Sequence, residues 1–380
     1  MASNASEGEN IVPSPTIAAL ERCKTSSWMQ TFKALAFRSV EVAVPEEFIR
    51  YALADGVVAT ASNRAMPRRE EVDAFDAAED LEKFTLVDGD DEEEAEAAAA
   101  SFPAFERAVS EAIETLGGEC APKFMWSAPK DAVWVSAGNT MKCRNVDEVI
   151  LLLKASDSVA HDLTDAYGAC CDYEANAIEN ESEEERAIRE NPRPVLTLRE
   201  WYDLNPSMEF RCFVRKGLFI AISQRHVNDF FEFLVDDAVK RSIEFALETF
   251  WHTHIESSDW HAEMQDYVFD VYVTPKTKKV KLVDFNVWGG TTLPLLFEWQ
   301  ELEDLATRIA AGIADEGDAD ADADECCCSI DGIEFRIINQ QEHIRPGLQL
   351  GVPFDLYDTT PGSALAEFLQ EQKRKQDQQA

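Results

Sequence analysis

Tyr267-Val268-Phe269-Asp270-Val271-Tyr272-Val273 and Lys279-Val280-Lys281-Leu282-Val283-Asp284-Phe285-Asn286 decide the fold of this 380-residue chain. Both runs are dense in β-branched and aromatic residues, and a short lysine-rich turn containing Pro275 separates them. They read as the two strands of a hairpin. Each carries an acid where a core strand should have none. A carboxylate flanked by Phe and Val is largely desolvated, and burying it unpaired is costly, so a cation belongs beside it. Alternation puts Asp284 and Asn286 on one face, about 7 Å apart along the strand. With Val273 set opposite Lys279, Asp270 falls on that face too, opposite Leu282 and diagonal to Asp284. Two kinds of partner suit the cluster. A core arginine could pair with Asp270, leaving Asp284 and Asn286 as a strand end. Alternatively, three convergent oxygen ligands with no His or Cys among them suit a hard cation, Mg²⁺.

Working outward, the length allows two or three core-bearing lobes, and 45% hydrophobic residues is ordinary for a globular chain. No apolar run reaches the length of a membrane span, and the opening MASNASEGEN lacks the basic-then-apolar pattern of a signal peptide. Nine cysteines without Cys-x-x-Cys spacing read as reduced thiols, which suits the cytosol or nucleus. The formal charge of −38 is mostly local. Residues 70–96 hold 14 acids and one base, 174–190 seven acids and two bases, and 315–325 seven acids and no base. These runs contribute −25 and read as a linker and two insertions. Direct nucleic-acid binding is disfavoured, because phosphate contacts need basic surface.

Between those runs the pattern is α+β. Val40 to Val44 alternates as a strand before Pro45, and a short helix follows over 46–54. Phe105, Val109, Ala112, Ile113 and Leu116 have helical spacing and stop at Gly117-Gly118. Residues 147–155 and 236–254 read as helices, and Val195 to Trp201 as a strand entering a turn. Glu209 to Arg215, a tight turn at Gly217, and Leu218 to Gln224 form a second hairpin, with Arg211 and Phe213 on one face and Phe210, Cys212 and Val214 on the other. The resulting division is an N-terminal lobe over 21–155 with its linker at 70–96, a C-terminal lobe over 192–312, and a C-terminal segment over 330–370. Acidic insertions fall at 174–190 and 315–329.

Lys123, Arg211 and Arg225 interrupt or close these strands. Each alone suits a snorkelling surface side chain. Together they supply what a nucleoside triphosphate needs: a lysine point charge, forked arginine donors and a metal bridging the phosphates. Neither a Gly-x-x-x-x-Gly-Lys loop nor a Gly-x-Gly-x-x-Gly loop is present, which excludes a P-loop fold and leaves a kinase-type glycine loop without support.

PKFMWSAPKDAVW (122–134), EFRCFVRKGLFIAISQR (209–225), VFDVY (268–272), VDFN (283–286) and LLFEW (295–299) occur in the order of the cell division cycle protein 123 family, which the chain resembles. CKTSSWMQTF (23–32) and VPFDLYDTTPGSALAEFL (352–369) extend the resemblance over nearly the whole chain outside the acidic runs. The resemblance implies an ATP-grasp-like fold, two α+β lobes whose antiparallel sheets enclose a nucleotide cleft. It implies a cytoplasmic chaperone that binds the gamma subunit of eukaryotic translation initiation factor 2 and promotes its joining to the alpha subunit, and the expected form is a monomer. Lys123 is expected on phosphate, with Trp126 and Ala128 lining the nucleotide site. Lys130 stands where the family has arginine, replacing a fork by a point charge. Arg199 and Trp201 are expected near adenine and ribose, Arg211 and Arg225 on the phosphates, and Asp270, Asp284 and Asn286 on Mg²⁺.

Two departures stand out. Val287-Trp288-Gly289-Gly290 replaces the family's Pro-Phe-Gly, and His226 replaces an Asp after Arg225. Cys326-Cys327-Cys328 cannot easily close one tetrahedral site and reads as part of an insertion; His252 and His254 lack a third ligand in suitable spacing. An ATP-grasp ligase forming an acyl phosphate needs the same ATP-holding charges and is the alternative to a chaperone. A non-enzymatic acidic interaction protein fits less well, because the constellation from Lys123 to Asn286 is intact.

Overall fold

The hairpin that opens the sequence argument forms β6 (Tyr267–Val273) and β7 (Val280–Val287), at one edge of a five-stranded sheet. This is a computed structural model, and it describes residues 12–54, 101–173, 194–312 and 332–340. Inward from β6 lie β4 (Glu209–Arg215) and β5 (Leu218–Gln224), joined by a turn in which Lys216 and Gly217 both have positive φ, as a two-residue hairpin turn demands. β8 (Glu334–Arg336) adds to β5 in parallel, completing the order β7-β6-β4-β5-β8; the other pairings are antiparallel.

The register between β6 and β7 differs from the one expected. Val273 lies opposite Val280, not Lys279, and Asp270 lies directly opposite Asp284, not Leu282. A bulge between Asp270 and Val271 makes Val283 the extra residue. Its cause is legible in the packing. Leu282 and Phe285 are both fully buried beside Val271 and Phe269, yet three positions apart in a regular strand they would face opposite ways. One inserted residue brings both to the core and leaves Asp284 and Asn286 on the other face.

That core lies between the sheet and α1 (Ile17–Cys23), α2 (Thr25–Phe32), α7 (Asp237–Phe250), the π-helical turn Trp251–Glu256 and α8 (Asp259–Met264). Phe285 sits 4.2 Å from the Trp260 ring and 5.3–5.6 Å from Phe32, Trp28 and Tyr267. Trp28, Met29 and Phe32 therefore pack on the larger sheet, so the grouping of residues 21–155 into one lobe is corrected at its start. On the opposite face, α9 (Trp299–Ala310) covers Phe213, Ile220 and Val268; Glu298 and Glu301 close its N-terminus as a reciprocal capping box.

The smaller sheet has the order β1-β3-β2, from β1 (Ser39–Ala43), β3 (Val195–Glu200) and β2 (Cys120–Phe124), all antiparallel. It shares a core with α3 (Glu46–Leu53), α4 (Pro103–Thr115), α5 (Val146–Lys154) and α6 (Asp157–Thr164). α4 buries Phe105, Val109, Ala112 and Ile113, the stripe expected from its spacing, and Gly117 and Gly118 end it with positive φ. α7 starts just after Asp236, whose side chain caps it, and its π-helical continuation carries the helical run to Glu256, two residues past the expected end at 254. The segments 70–96, 174–190 and 315–329, including Cys326–Cys328, lie outside the described residues, as does most of 330–370. No described helix is long and apolar enough to cross a membrane.

Candidate nucleotide and metal site

A cavity of about 650 Å³ opens between the two sheets, and all eleven residues singled out from the sequence line it. β2 and β3 of the smaller lobe bring Lys123 and Arg199, and the loops beyond them bring Trp126, Ala128, Lys130 and Trp201. From the larger lobe, Arg211 lies on β4, Arg225 follows β5, Asp270 lies on β6, and Asp284 and Asn286 lie on β7.

The larger lobe's charges gather around Asp270, with Arg225 Nη1 in ion-pair range but without a hydrogen bond of its own. The arginine partner expected for Asp270 is present. Arg211 donates Nε to Oδ1 at 2.8 Å and Nη2 to Oδ2 at 2.9 Å, and turns Nη1 to the Leu293 carbonyl at 2.7 Å. The cross-strand register explains the fork, because Arg211 lies directly opposite Asp270 on adjacent strands. Arg225 Nη1 lies 3.2 Å from Oδ2, and the Asn286 amide donates to the same oxygen at 3.3 Å. Burial alone would raise the Asp270 carboxyl, but Arg211, Arg225 and the Arg211 hydrogen bonds outweigh it and hold it well below the usual carboxylate range. The same pairing raises Arg211 against the pull of burial.

Where the lobes meet, Lys123 donates to Asp284 Oδ2 at 2.6 Å and to the Trp126 carbonyl at 2.5 Å. Asp284 Oδ1 is buried with no hydrogen-bond partner. The smaller lobe is less well matched. Arg199 Nε and Nη2 are also buried and unpartnered, and burial lowers the guanidinium's pKa while Asp284 opposes the drop. Lys130 is pushed down to about 8, chiefly by Arg225 and by burial, against the pull of Glu209 and Asp270.

Aromatic walls complete the cavity. The Trp126 indole donates to the Leu20 carbonyl at 2.7 Å, and Lys142 stacks over Trp201 at 5.7 Å.

The donor set fits a hard cation next to polyphosphate. Asp284 keeps one open oxygen, Asp270 Oδ1 accepts one hydrogen bond and retains lone-pair capacity, and Asn286 contributes an amide oxygen. Among the described residues, no group of three or more His, Cys, Asp or Glu stands arranged for a metal. His252 and His254 are exposed, away from this site.

Further acids line the cavity, and two of them, Glu209 and Asp162, make specific contacts there. Glu209 accepts from His226 at 3.0 Å; burial would raise its carboxyl, but His226, Lys130 and Arg225 hold it low. The histidine in place of an Asp after Arg225 thus has a carboxylate partner from the start of β4. Asp162 on α6 accepts from the Trp126 and Ser127 amides at 3.2 and 2.9 Å and from the Ser127 hydroxyl at 2.8 Å. Burial pushes it up to about 7 despite those bonds. Neither was legible, because both are single acids on otherwise ordinary elements.

Fold and site together define a two-lobed α+β protein with a cleft that presents unmatched cationic groups beside open carboxylate and amide oxygens. The chain belongs to the D123 family, whose model matches residues 28–360. It is 31% identical to a Xenopus laevis protein called "Translation initiation factor eIF2 assembly protein", over 94% of this chain and 96% of that one. A Phaeosphaeria nodorum protein called "Cell division cycle protein 123" is 36% identical over 71% of this chain and 65% of its own length. Among solved structures, Cdc123 from Schizosaccharomyces pombe superposes with a TM-score of 0.55 at 28% identity, covering 77% of this chain and 94% of that one. The family resemblance carried by the sequence motifs is thereby shown, as is a mixed α+β fold similar to Cdc123.

Proposed function

We propose that this protein is an ATP- and Mg²⁺-binding chaperone, ATP-grasp-like in architecture, that promotes assembly of eukaryotic translation initiation factor 2 in the cytoplasm by binding its gamma subunit. The names carried by its full-length relatives support the assembly role. The nucleotide reading rests on one observation above all: Arg199 keeps two buried nitrogens without partners on the wall of a cavity that also holds Lys123, Lys130 and Arg225. A buried unsatisfied donor costs about 1–3 kcal/mol, and more when charged, so this arrangement favours an arriving anion. Lys123, Lys130, Arg199, Arg211 and Arg225 would hold the phosphates, while Trp126, Ala128 and Trp201 would line the base and sugar. Asp270, Asp284 and Asn286 would hold Mg²⁺, which when bound neutralises phosphate charge.

In this reading Lys123, which holds Asp284, would hold phosphate instead, and Asp284 would turn to the metal. β2 of the smaller lobe and β7 of the larger lobe would then share one ligand, an arrangement the partner would sense.

The test is to mix the full chain with purified gamma and alpha subunits. Mg-ATP should raise the yield of the gamma–alpha complex, and Asp284→Ala should lose that gain. Failure to retain the gamma subunit, with ADP released only when a small carboxylic acid is supplied, would favour the ligase alternative.

A further inference from the structure

The short segment 12–16, immediately before α1, joins two loops on the cavity's rim. At the loop after β7, the Pro13 carbonyl accepts from the Gly290 amide at 2.8 Å. At the turn 169–172, whose Cys170 packs in the larger sheet's core, the Pro15 carbonyl accepts from the Cys171 amide at 2.9 Å, and the Ser14 hydroxyl donates to the Ala169 carbonyl at 2.7 Å. The Ile17 amide adds a bond to Asp172 Oδ1 at 2.9 Å. Pro15, Ala169 and Gly290 all line the cavity, so this segment forms part of its wall.

The loop after β7 is shaped to receive it. A Cβ on Gly289 would meet the Pro13 carbonyl oxygen at 1.9 Å, a collision with backbone that no rotamer relieves. Gly289 and Gly290 both have positive φ, and a Cβ on Gly290 would press on the Pro15 ring at 3.2 Å. Two consecutive glycines therefore stand where close approach requires them. From Gly290 the chain runs through Thr292 to Leu293, whose carbonyl fixes the third arm of the Arg211 fork. Asn286 lies four residues upstream of Gly290. The segment's grip on Gly290 thus reaches the groups on both sides of the loop.

We propose that residues 12–16 are a clasp that completes the nucleotide cavity, pinning the Gly289–Leu293 loop, and through it Arg211, against the turn at 169–172. The clasp governs how fast a bound nucleotide leaves. This part of the inference rests on the nucleotide reading, whereas the clasp itself does not.

Two measurements on the full chain separate them. Without nucleotide, hydrogen–deuterium exchange at the Gly290 and Cys171 amides should be slow, and Gly289→Ala should speed both, although Cys171 belongs to the other anchor. Gly118→Ala is the control: it has the same left-handed backbone (φ +92° against +82°), but nothing lies within 4 Å of its Cβ. It should leave both amides unchanged. Exchange that rises at Gly290 alone would overturn the clasp. In stopped-flow displacement of a fluorescent ATP analogue with Mg²⁺, Gly289→Ala should raise the dissociation rate at least tenfold with little change in the association rate. An unchanged dissociation rate, or an equal rise in Gly118→Ala, would refute the governing role. Absence of nucleotide binding in the unaltered protein would refute both the nucleotide reading and that role, and leave the exchange result to decide the clasp.

Discussion

The two lobes meet the same cavity with opposite electrostatic habits. On the larger lobe Asp270, 2% exposed, is gripped by a bidentate Arg211 and approached by Arg225, so its charges close on each other. On the smaller lobe Arg199 has two buried nitrogens without a partner. Lys130 has been pushed down to about 8 by Arg225 and burial. Only Lys123 is matched, and its partner Asp284 belongs to the other lobe. The larger lobe pairs Asp270 internally yet leaves Arg225 Nη1 and Asp284 Oδ1 without hydrogen-bond partners, whereas the smaller lobe leaves two Arg199 nitrogens unpaired. A self-paired centre preorganises a site, and an unpaired one supplies the driving force for a ligand to enter it.

Breaking the matched side should have the largest effect. Asp270→Ala leaves Arg211 and Arg225 buried without their counter-ion and should cost about 3–5 kcal/mol in urea unfolding. Because Asp270 is held below its unfolded value of about 3.9, its stabilisation is complete above that value and is lost progressively as the pH falls from about 4 toward the depressed folded value. Melting temperatures of the unaltered chain should therefore drop more steeply below about pH 4 than those of Asp270→Ala, a point that a pH series will check.

Altering the unmatched side should act with the opposite sign on stability. Arg199→Met removes the orphaned donors and should stabilise the ligand-free chain by about 1–3 kcal/mol, while weakening Mg-ATP binding at least tenfold. A loss of both stability and affinity would mean that Arg199 is a structural cation, and the contrast between the lobes would fail.

Smaller effects should come from the two buried groups with displaced proton affinities. Asp162 is pushed up to about 7 by burial, so the folded state binds more protons than the unfolded state between about pH 4 and 7. Stability should fall as pH rises across that window, and Asp162→Asn should flatten the slope in urea titrations. For Lys130 the sign reverses: lowered to about 8, it makes stability rise with pH between about 8 and 10.5. Phosphate would favour its ammonium form, so binding near pH 8 should take up a proton. Calorimetric enthalpies in buffers of different ionisation heat should differ accordingly, and Lys130→Arg should abolish the difference.

Much of this was legible in the strands. Alternation placed Arg211 and Phe213 on one face of β4 and set Asp284 beside Asn286, because a period of two leaves no freedom once one side is buried. The eleven residues quoted from the motifs share one cavity. The register did not follow, although a signal was there: Leu282 and Phe285, both core-type residues three apart in one strand, call for an inserted residue. Long-range choices left less trace. Nothing local in Trp28-Met29 or Phe32 says which sheet they cover, and nothing in Glu334-Phe335-Arg336 announces a parallel pairing with β5. Asp162 acquires its role only when α6 brings it under the Trp126 and Ser127 amides. The acidic runs, legible as composition, lie outside the described residues.

The proposed function depends on a polyphosphate and a divalent cation entering together between the unmatched cations and the open oxygens of Asp284 and Asn286. Titrating ATP calorimetrically into the full chain, with and without Mg²⁺, tests this most directly. Expected is a saturable one-site heat with Mg²⁺ that weakens at least tenfold when the metal is chelated. Contradiction would be heats of dilution alone in the presence of Mg²⁺, or an affinity indifferent to the metal.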